Sequence, residues 1–126
     1  MMTMCTIQPE ELAVYKATAQ RRWQAEQAAV TQRRAQAMVT ARQAARFLKE
    51  HFGATRVMLF GSLVHNQWFS ASSDIDLAAW GIKDEEFYRA VARLQDLSSE
   101  FKIDLVAMER CPQHLYQTIL AEGTVL

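Results

Sequence analysis

The chain has 126 residues, a length that suits one domain with a modest core and excludes a large multidomain enzyme. Half of the residues are hydrophobic and 22% are charged, ordinary proportions for a soluble globular protein. Fourteen Lys and Arg balance fourteen Asp and Glu, so no net charge pulls the whole chain toward nucleic acid or a membrane surface.

The charge is uneven along the chain. Residues 9–50 carry eight Lys and Arg against four Glu, and residues 51–126 carry six against ten acids. A polyanion contact is therefore expected at the front. The start, MMTMCTIQPEE, lacks the basic and apolar regions of a signal peptide, and Cys5 and Cys111 lie far apart, so a reduced cytoplasmic protein is expected. No apolar run approaches the roughly 18 residues of a membrane span.

From Glu10 to Phe52 there is no Gly or Pro, and Ala, Gln, Arg and Glu dominate. This composition predicts helix. Pro9, Glu10 and Glu11 suit its first turn and Gly53 its end. One helix of that length runs roughly 60 Å at 1.5 Å per residue, so it either breaks or projects. Trp23, Val30, Ala37 and Ala44 recur every seven residues, but with Glu26, Arg33 and Thr40 or Gln27, Arg34 and Ala41 as partner positions the coiled-coil signal is weak. Met38, Ala41, Ala45, Leu48 and Phe52 make a stripe that can dock on a sheet, which puts the last third of the helix in the core. The Arg pairs 21/22 and 33/34 read as a solvated face rather than a nucleic-acid contact.

After Gly53 the texture changes. VMLF (57–60) and IDLAAW (75–80) read as strands closed by Gly61-Ser62 and Gly81. Asp84 reads as the N-cap of a helix with Glu85 and Glu86 in its first turn and Phe87, Val91 and Leu94 on one face. FKIDLVAM (101–108) is a third strand. Pro112 and Gly123 bracket a short amphipathic helix carrying Leu115, Ile119 and Leu120. Domain boundaries follow: a helical extension over 1–44 and a compact domain over 45–126. The expected fold is α+β, a small mixed, largely antiparallel sheet with helices on one face, preceded by the long helix.

Side chains alternate along a strand, so Asp74 and Asp76 share one face while Ile75 and Leu77 take the other. Asp104 repeats the pattern between Ile103 and Leu105. Carboxylates held close together repel unless a cation lies among them. Three of them on one sheet face make an oxygen-rich site suited to a hard ion such as Mg²⁺. Gly61-Ser62, directly after a strand, suits a turn that lets phosphate approach the backbone. A Gly-Ser turn alone is most often only a turn, but joined to Asp-x-Asp and a later strand Asp it describes a nucleoside triphosphate held against two metal ions.

LFGS (59–62), SDIDLAAW (73–80), KIDLVAMERCP (102–112) and the closing Glu122-Gly123 resemble the minimal nucleotidyltransferase (MNT) family of the DNA polymerase beta-like superfamily. The resemblance spans roughly residues 45–126. It implies that Gly61 and Ser62 bind the triphosphate of ATP. It implies that Asp74 and Asp76 hold two Mg²⁺ ions, and that Asp104 completes one metal site and helps deprotonate an acceptor hydroxyl. The implied chemistry is in-line displacement at the α-phosphate with loss of pyrophosphate. It implies a HEPN-domain toxin as partner, silenced by addition of AMP to a tyrosine, with this chain as antitoxin. Where the family pattern continues as GSxARG, this chain has His65-Asn66, which replaces a permanent cation with a titratable one.

Two other readings stand beside this one. The first is a catalytically weak or inactive module that neutralises its partner by complex formation, and the second is a small-molecule nucleotidyltransferase. Trp68 and Phe69 are the aromatic residues best placed in the chain to meet a partner or acceptor. Cys111-x-x-His114 has half the spacing of a zinc site with no second pair to complete it, so His114 reads as a polar residue of the last helix. The front helix is left to pack on its own domain, on a second copy as a homo-oligomer, or on a partner.

Overall fold

A computed structural model describes residues 8–65 and 74–126. It begins with an unbroken helix, α1 (Pro9–His51). Pro stands in the first turn, where its missing N–H is no loss, and Glu10 and Glu11 complement the dipole there. Strand β1 (Arg56–Phe60) leads into a 3-10 turn (Gly61–Leu63), and β2 (Ile75–Trp80) leads into α2 (Asp84–Gln95). Then come β3 (Ile103–Ala107), α3 (Gln113–Glu122) and the two-residue β4 (Thr124–Val125).

The sheet runs in the order β3-β2-β1-β4. β1 pairs antiparallel with β2 and β4, and β2 pairs parallel with β3. Parallel neighbours need a crossover, and α2 supplies it. The sheet is mixed and largely antiparallel, as the strand pattern predicts.

The main core lies between one sheet face and helices α1 and α2. Val57, Leu59, Ile75, Leu77, Ala79 and Ile103 meet Ala37, Ala41, Ala44, Ala45 and Leu48 of α1 and Ala90 and Leu94 of α2. Four alanines on the docking stripe of α1 let its backbone come close to the sheet, and Leu48 is completely buried. The inner part of α1 therefore belongs to the core and the outer part projects: residues 8–29 are all exposed.

The third helix departs from the expectation of helices on one face. Ile119 of α3 packs with Met58, Ala78 and Met108 on the opposite face, with Phe60, Trp80, Leu115, Tyr116 and Cys111 around them. The apolar runs VMLF and LAAW carry hydrophobic residues on both sides, and a sheet with two apolar faces needs cover on both. Among the described residues, the acid-bearing end of that second face lies outside this cluster.

Smaller differences have local causes. The N-cap of α2 is Lys83, and Asp84 sits inside the first turn, where its Oδ1 lies 3.4 Å from Arg110 Nε. Asp74 directly precedes β2. The Arg33 and Arg34 guanidinium groups are tertiary contacts, not a solvated face. Arg33 donates to Glu100 O at 2.9 Å and stacks 4.4 Å over Phe101, and Arg34 donates to Leu63 O at 2.9 Å. Cys111 donates to Met108 O at 3.8 Å within the second apolar cluster.

Candidate active site

The open end of the second face holds the acids. Asp76 and Asp104 are register partners in the parallel β2/β3 pair, and Phe60 stands opposite Asp76 on the antiparallel side. Same-face neighbours across one ladder lie within side-chain reach. Ile75, Leu77 and Ile103 bury their side chains behind them, so the register cannot slip without moving apolar groups into water.

Burial pushes the Asp76 carboxyl up to about 6, reinforced by the charges of Asp104 and Asp74 and opposed by Lys102. Lys102 Nζ lies 3.9 Å from Asp104 Oδ1, whose side chain is 46% exposed. One lysine at the rim leaves the three acids undercompensated. Among the described residues no three His, Cys, Asp or Glu side chains converge on one point as a ready metal cage. The chemistry of the donor set nevertheless fits a hard cation, because like charges on a half-buried surface are relieved by one.

The Gly61 turn is built against this cluster. Gly61 has φ +79, and a Cβ there would overlap Asp76 Oδ2 and stand 3.2 Å from its Cγ. Only glycine allows both the conformation and the approach. Leu63 is buried beneath the turn and Arg34 holds its carbonyl from behind, so the turn is fixed from inside the protein. Beside it opens a cavity of about 220 Å³ lined by Phe60, Gly61, Ser62, His65, Thr118 and Glu122.

The structure thus brings Gly61, Ser62, Asp76 and Asp104 to one end of the sheet, with Asp74 at the start of β2. Asn66, Trp68 and Phe69 lie outside the described residues, as does Cys5. Two residues that motif spacing did not single out as site residues also border the cavity. Glu122 Oε2 lies 3.8 Å from His65 Nε2, and Thr118 is one helical turn before Glu122. An i, i+4 pair at the end of an amphipathic helix was the available signal.

A family model described as "Polymerase beta, Nucleotidyltransferase" matches residues 42–126, about two thirds of the chain. The chain belongs to the polymerase beta nucleotidyltransferase family. The carboxylates, the Gly-Ser turn and the closing helix all lie inside the matched span.

Solved structures share this nucleotidyltransferase fold. A chain of the MntA-HepT toxin-antitoxin crystal structure superposes with TM-score 0.54 at 17% identity, covering 70% of this chain and 69% of that one. A toxin-antitoxin structure with AMP-PNP gives 0.57 at 19% identity, covering 68% and 70%. A structure of the tri-AMPylated Shewanella oneidensis HEPN toxin in complex with MNT antitoxin gives 0.54 at 17%, covering 71% and 70%. At these identities the likeness concerns the fold. No curated protein matches the chain significantly. Among the described residues no helix is long and apolar enough to cross a membrane.

Proposed function

We propose that this nucleotidyltransferase is an MNT-type antitoxin that transfers AMP from ATP to a hydroxyl of a HEPN-type toxin partner in the cytoplasm. The observation that carries this reading is the register of Asp76 with Asp104 directly beside the Gly61 turn. The solved neighbours with AMP-PNP and with an AMPylated toxin support adenosine triphosphate as donor and a protein as acceptor. The catalytic unit is residues 45–126, with residues 1–44 as a helical extension whose inner end docks on it.

Asp74, Asp76 and Asp104 would hold Mg²⁺, two ions in the full site. Bound there, the metal supplies Lewis-acid neutralisation of the phosphate and pyrophosphate oxygens. The remaining work belongs to the chain. Gly61 and Ser62 seat the triphosphate beside the 220 Å³ cavity, and the Arg34 clamp keeps the turn from moving when they do. Asp104, whose side chain is 46% exposed, accepts the proton of the attacking hydroxyl. The hydroxyl oxygen bonds to the α-phosphorus, the bond from that phosphorus to the bridging oxygen breaks, and pyrophosphate leaves with the electron pair. Holding donor and acceptor in line makes the attack effectively unimolecular.

One observation favours a second reading, a module that binds the partner with little turnover. His65 stands where the family pattern has Arg, and Glu122 beside it competes with phosphate for any charge it carries.

ATP labelled on the α-phosphate, Mg²⁺ and the co-expressed partner decide between them. Transfer of label to the partner, absent with γ-labelled ATP and lost in Asp74→Asn and Asp104→Asn, is the expected result. Partner binding without transfer by the wild-type chain selects the module.

A further inference from the structure

Strand β3 is an edge of the sheet, with β2 as its neighbour on one side. The bonds at its two ends fix which backbone groups face outward. Ile75 N donates to Lys102 O at 2.9 Å and Met108 N to Ala79 O at 3.0 Å, and Asp104 and Val106 continue that ladder toward β2. In a parallel pair alternate residues bond to the neighbour, so Ile103, Leu105 and Ala107 turn their N–H and C=O groups toward the edge. The end positions are partly covered within the chain: Gln95 Nε2 donates to Ile103 O and Arg110 N to Ala107 O at 3.0 Å. Among the described residues, Leu105 keeps both of its outward groups unpaired.

A groove of about 380 Å³ runs along this edge, with Phe87 and Tyr88 of α2 on the core side and Pro112 and Leu115 at the start of α3 on the other. Tyr88 is 78% exposed. Unpaired N–H and C=O groups on a strand edge are matched by another extended main chain, which sets the form of the occupant. Asp104 sets its side chain. In a docked strand, the residue next to the one facing Leu105 stands directly across from Asp104, on the face that carries Asp76 and within side-chain reach. A hydroxyl there ends the row Asp76, Asp104, beside the carboxylate that takes its proton. A second copy paired antiparallel at Leu105 would instead set Val106 across from Asp104, where it has no proton to give.

We propose that the edge of β3 docks the protein acceptor, taking an extended segment of it as an added strand that presents its hydroxyl beside Asp104. This rests on the proposed transfer of AMP to a protein and adds where that protein binds. The added strand continues the row of carboxylates directly, so docking and alignment of the hydroxyl are one event. With both ends of the edge already bonded inside the chain, the strand gains few main-chain bonds, which suits a substrate that must leave once modified.

Residue-resolved hydrogen exchange of the full chain, alone and with the co-expressed partner, tests the docking without turnover. The Leu105 and Ala107 amides should exchange roughly tenfold more slowly with the partner present. Leu105→Pro, set against Leu105→Ala, isolates the outward N–H. Both lose the leucine side chain, and proline is tolerated on an edge where the N–H bonds nothing inside the sheet. The proline variant should raise the KM for the partner roughly tenfold over the alanine variant, about one hydrogen bond lost, while kcat and the KM for ATP match. Circular dichroism checks that both variants fold, and the exchange rates decide alone if the proline variant does not. Amides that stay fast with the partner present, or a folded proline variant no weaker than the alanine variant, would overturn the docking even where AMP is transferred. A wild-type chain that transfers no AMP would overturn the function instead, and the exchange rates still decide whether the edge binds the partner.

Discussion

Asp76 and Asp104 are direct neighbours across the parallel β2/β3 pair, on the face turned away from the main core. The Gly61 turn closes over the first of them so tightly that no side chain fits between. Carboxylates arranged in this way are a cost to the folded protein and a benefit only to a cation, and several outcomes follow from that balance.

With metal removed by a chelator, Asp76→Asn should stabilise the protein. The folded carboxyl has its pKa raised from 3.8 to about 6, so between those values the folded state binds more protons than the unfolded one. The Asp76 contribution to stability therefore falls as pH rises from about 4 to 6 and stays low above it. At pH 7.5, where the penalty is full, the Asn variant should be more stable by on the order of 1 kcal/mol after allowing for solvent screening. At pH 4 the advantage should vanish. Thermal melts across that range measure both.

Mg²⁺ should reverse the ranking. On the proposed reading, added metal binds the folded site and not the unfolded chain, so it should raise the melting temperature of the wild type. The rise should be larger at pH 8 than at pH 5.5, because the proton on Asp76 competes with the ion. Asp76→Asn and Asp104→Asn should show little shift, and differential scanning calorimetry with and without Mg²⁺ reads it.

Gly61→Ala should damage both fold and site. The residue has φ +79, and a Cβ would displace the Asp76 carboxylate. A destabilisation of about 1–3 kcal/mol is expected from the backbone conformation and the overlap. Gly53→Ala shares the positive φ of +73 but meets nothing within 4 Å, so it should lose stability and keep activity. Denaturant melts and transfer assays on the pair separate strain from site damage.

Arg34→Ala should act at the Gly61 turn from behind. It removes the 2.9 Å bond to Leu63 O, costing about 1–2 kcal/mol for a part-buried, charge-assisted contact. The expected kinetic sign is a higher KM for ATP from a looser turn. His65→Arg, which restores the family's permanent cation, should lower that KM by roughly tenfold, one charge-assisted phosphate contact. Steady-state kinetics of AMP transfer distinguishes the two.

Much of the site was legible in the chain because strand alternation carries it. Asp104 between Ile103 and Leu105, and Asp76 between Ile75 and Leu77, show which side is core before any pairing is known. The helix between β2 and β3 makes a βαβ-like unit, which points to their parallel pairing, but the register that sets Asp76 beside Asp104 was not readable. The two residues of β4 are too few for a period. Helix α3 crosses to the second face because Met58, Ala78 and Met108 are apolar there as well, a consequence of continuous hydrophobic runs rather than strict alternation. Arg33 and Arg34 lie three and four residues from both Val30 and Ala37, on the flanks of the docking stripe, and only the fold reveals carbonyl oxygens within their reach. Glu122 belonged to a recognised closing motif, yet its nearness to His65 depends on α3 folding back over the Gly-Ser turn.

The intact mass of the proposed toxin partner, purified from cells that co-express it with this protein, tests the central claim most directly. With the wild type, the partner should carry one or more AMP increments on a tyrosine, and with Asp76→Asn or Asp104→Asn it should be unmodified while still bound. An unmodified partner from wild-type cells, or increments that persist in both variants, would contradict the account.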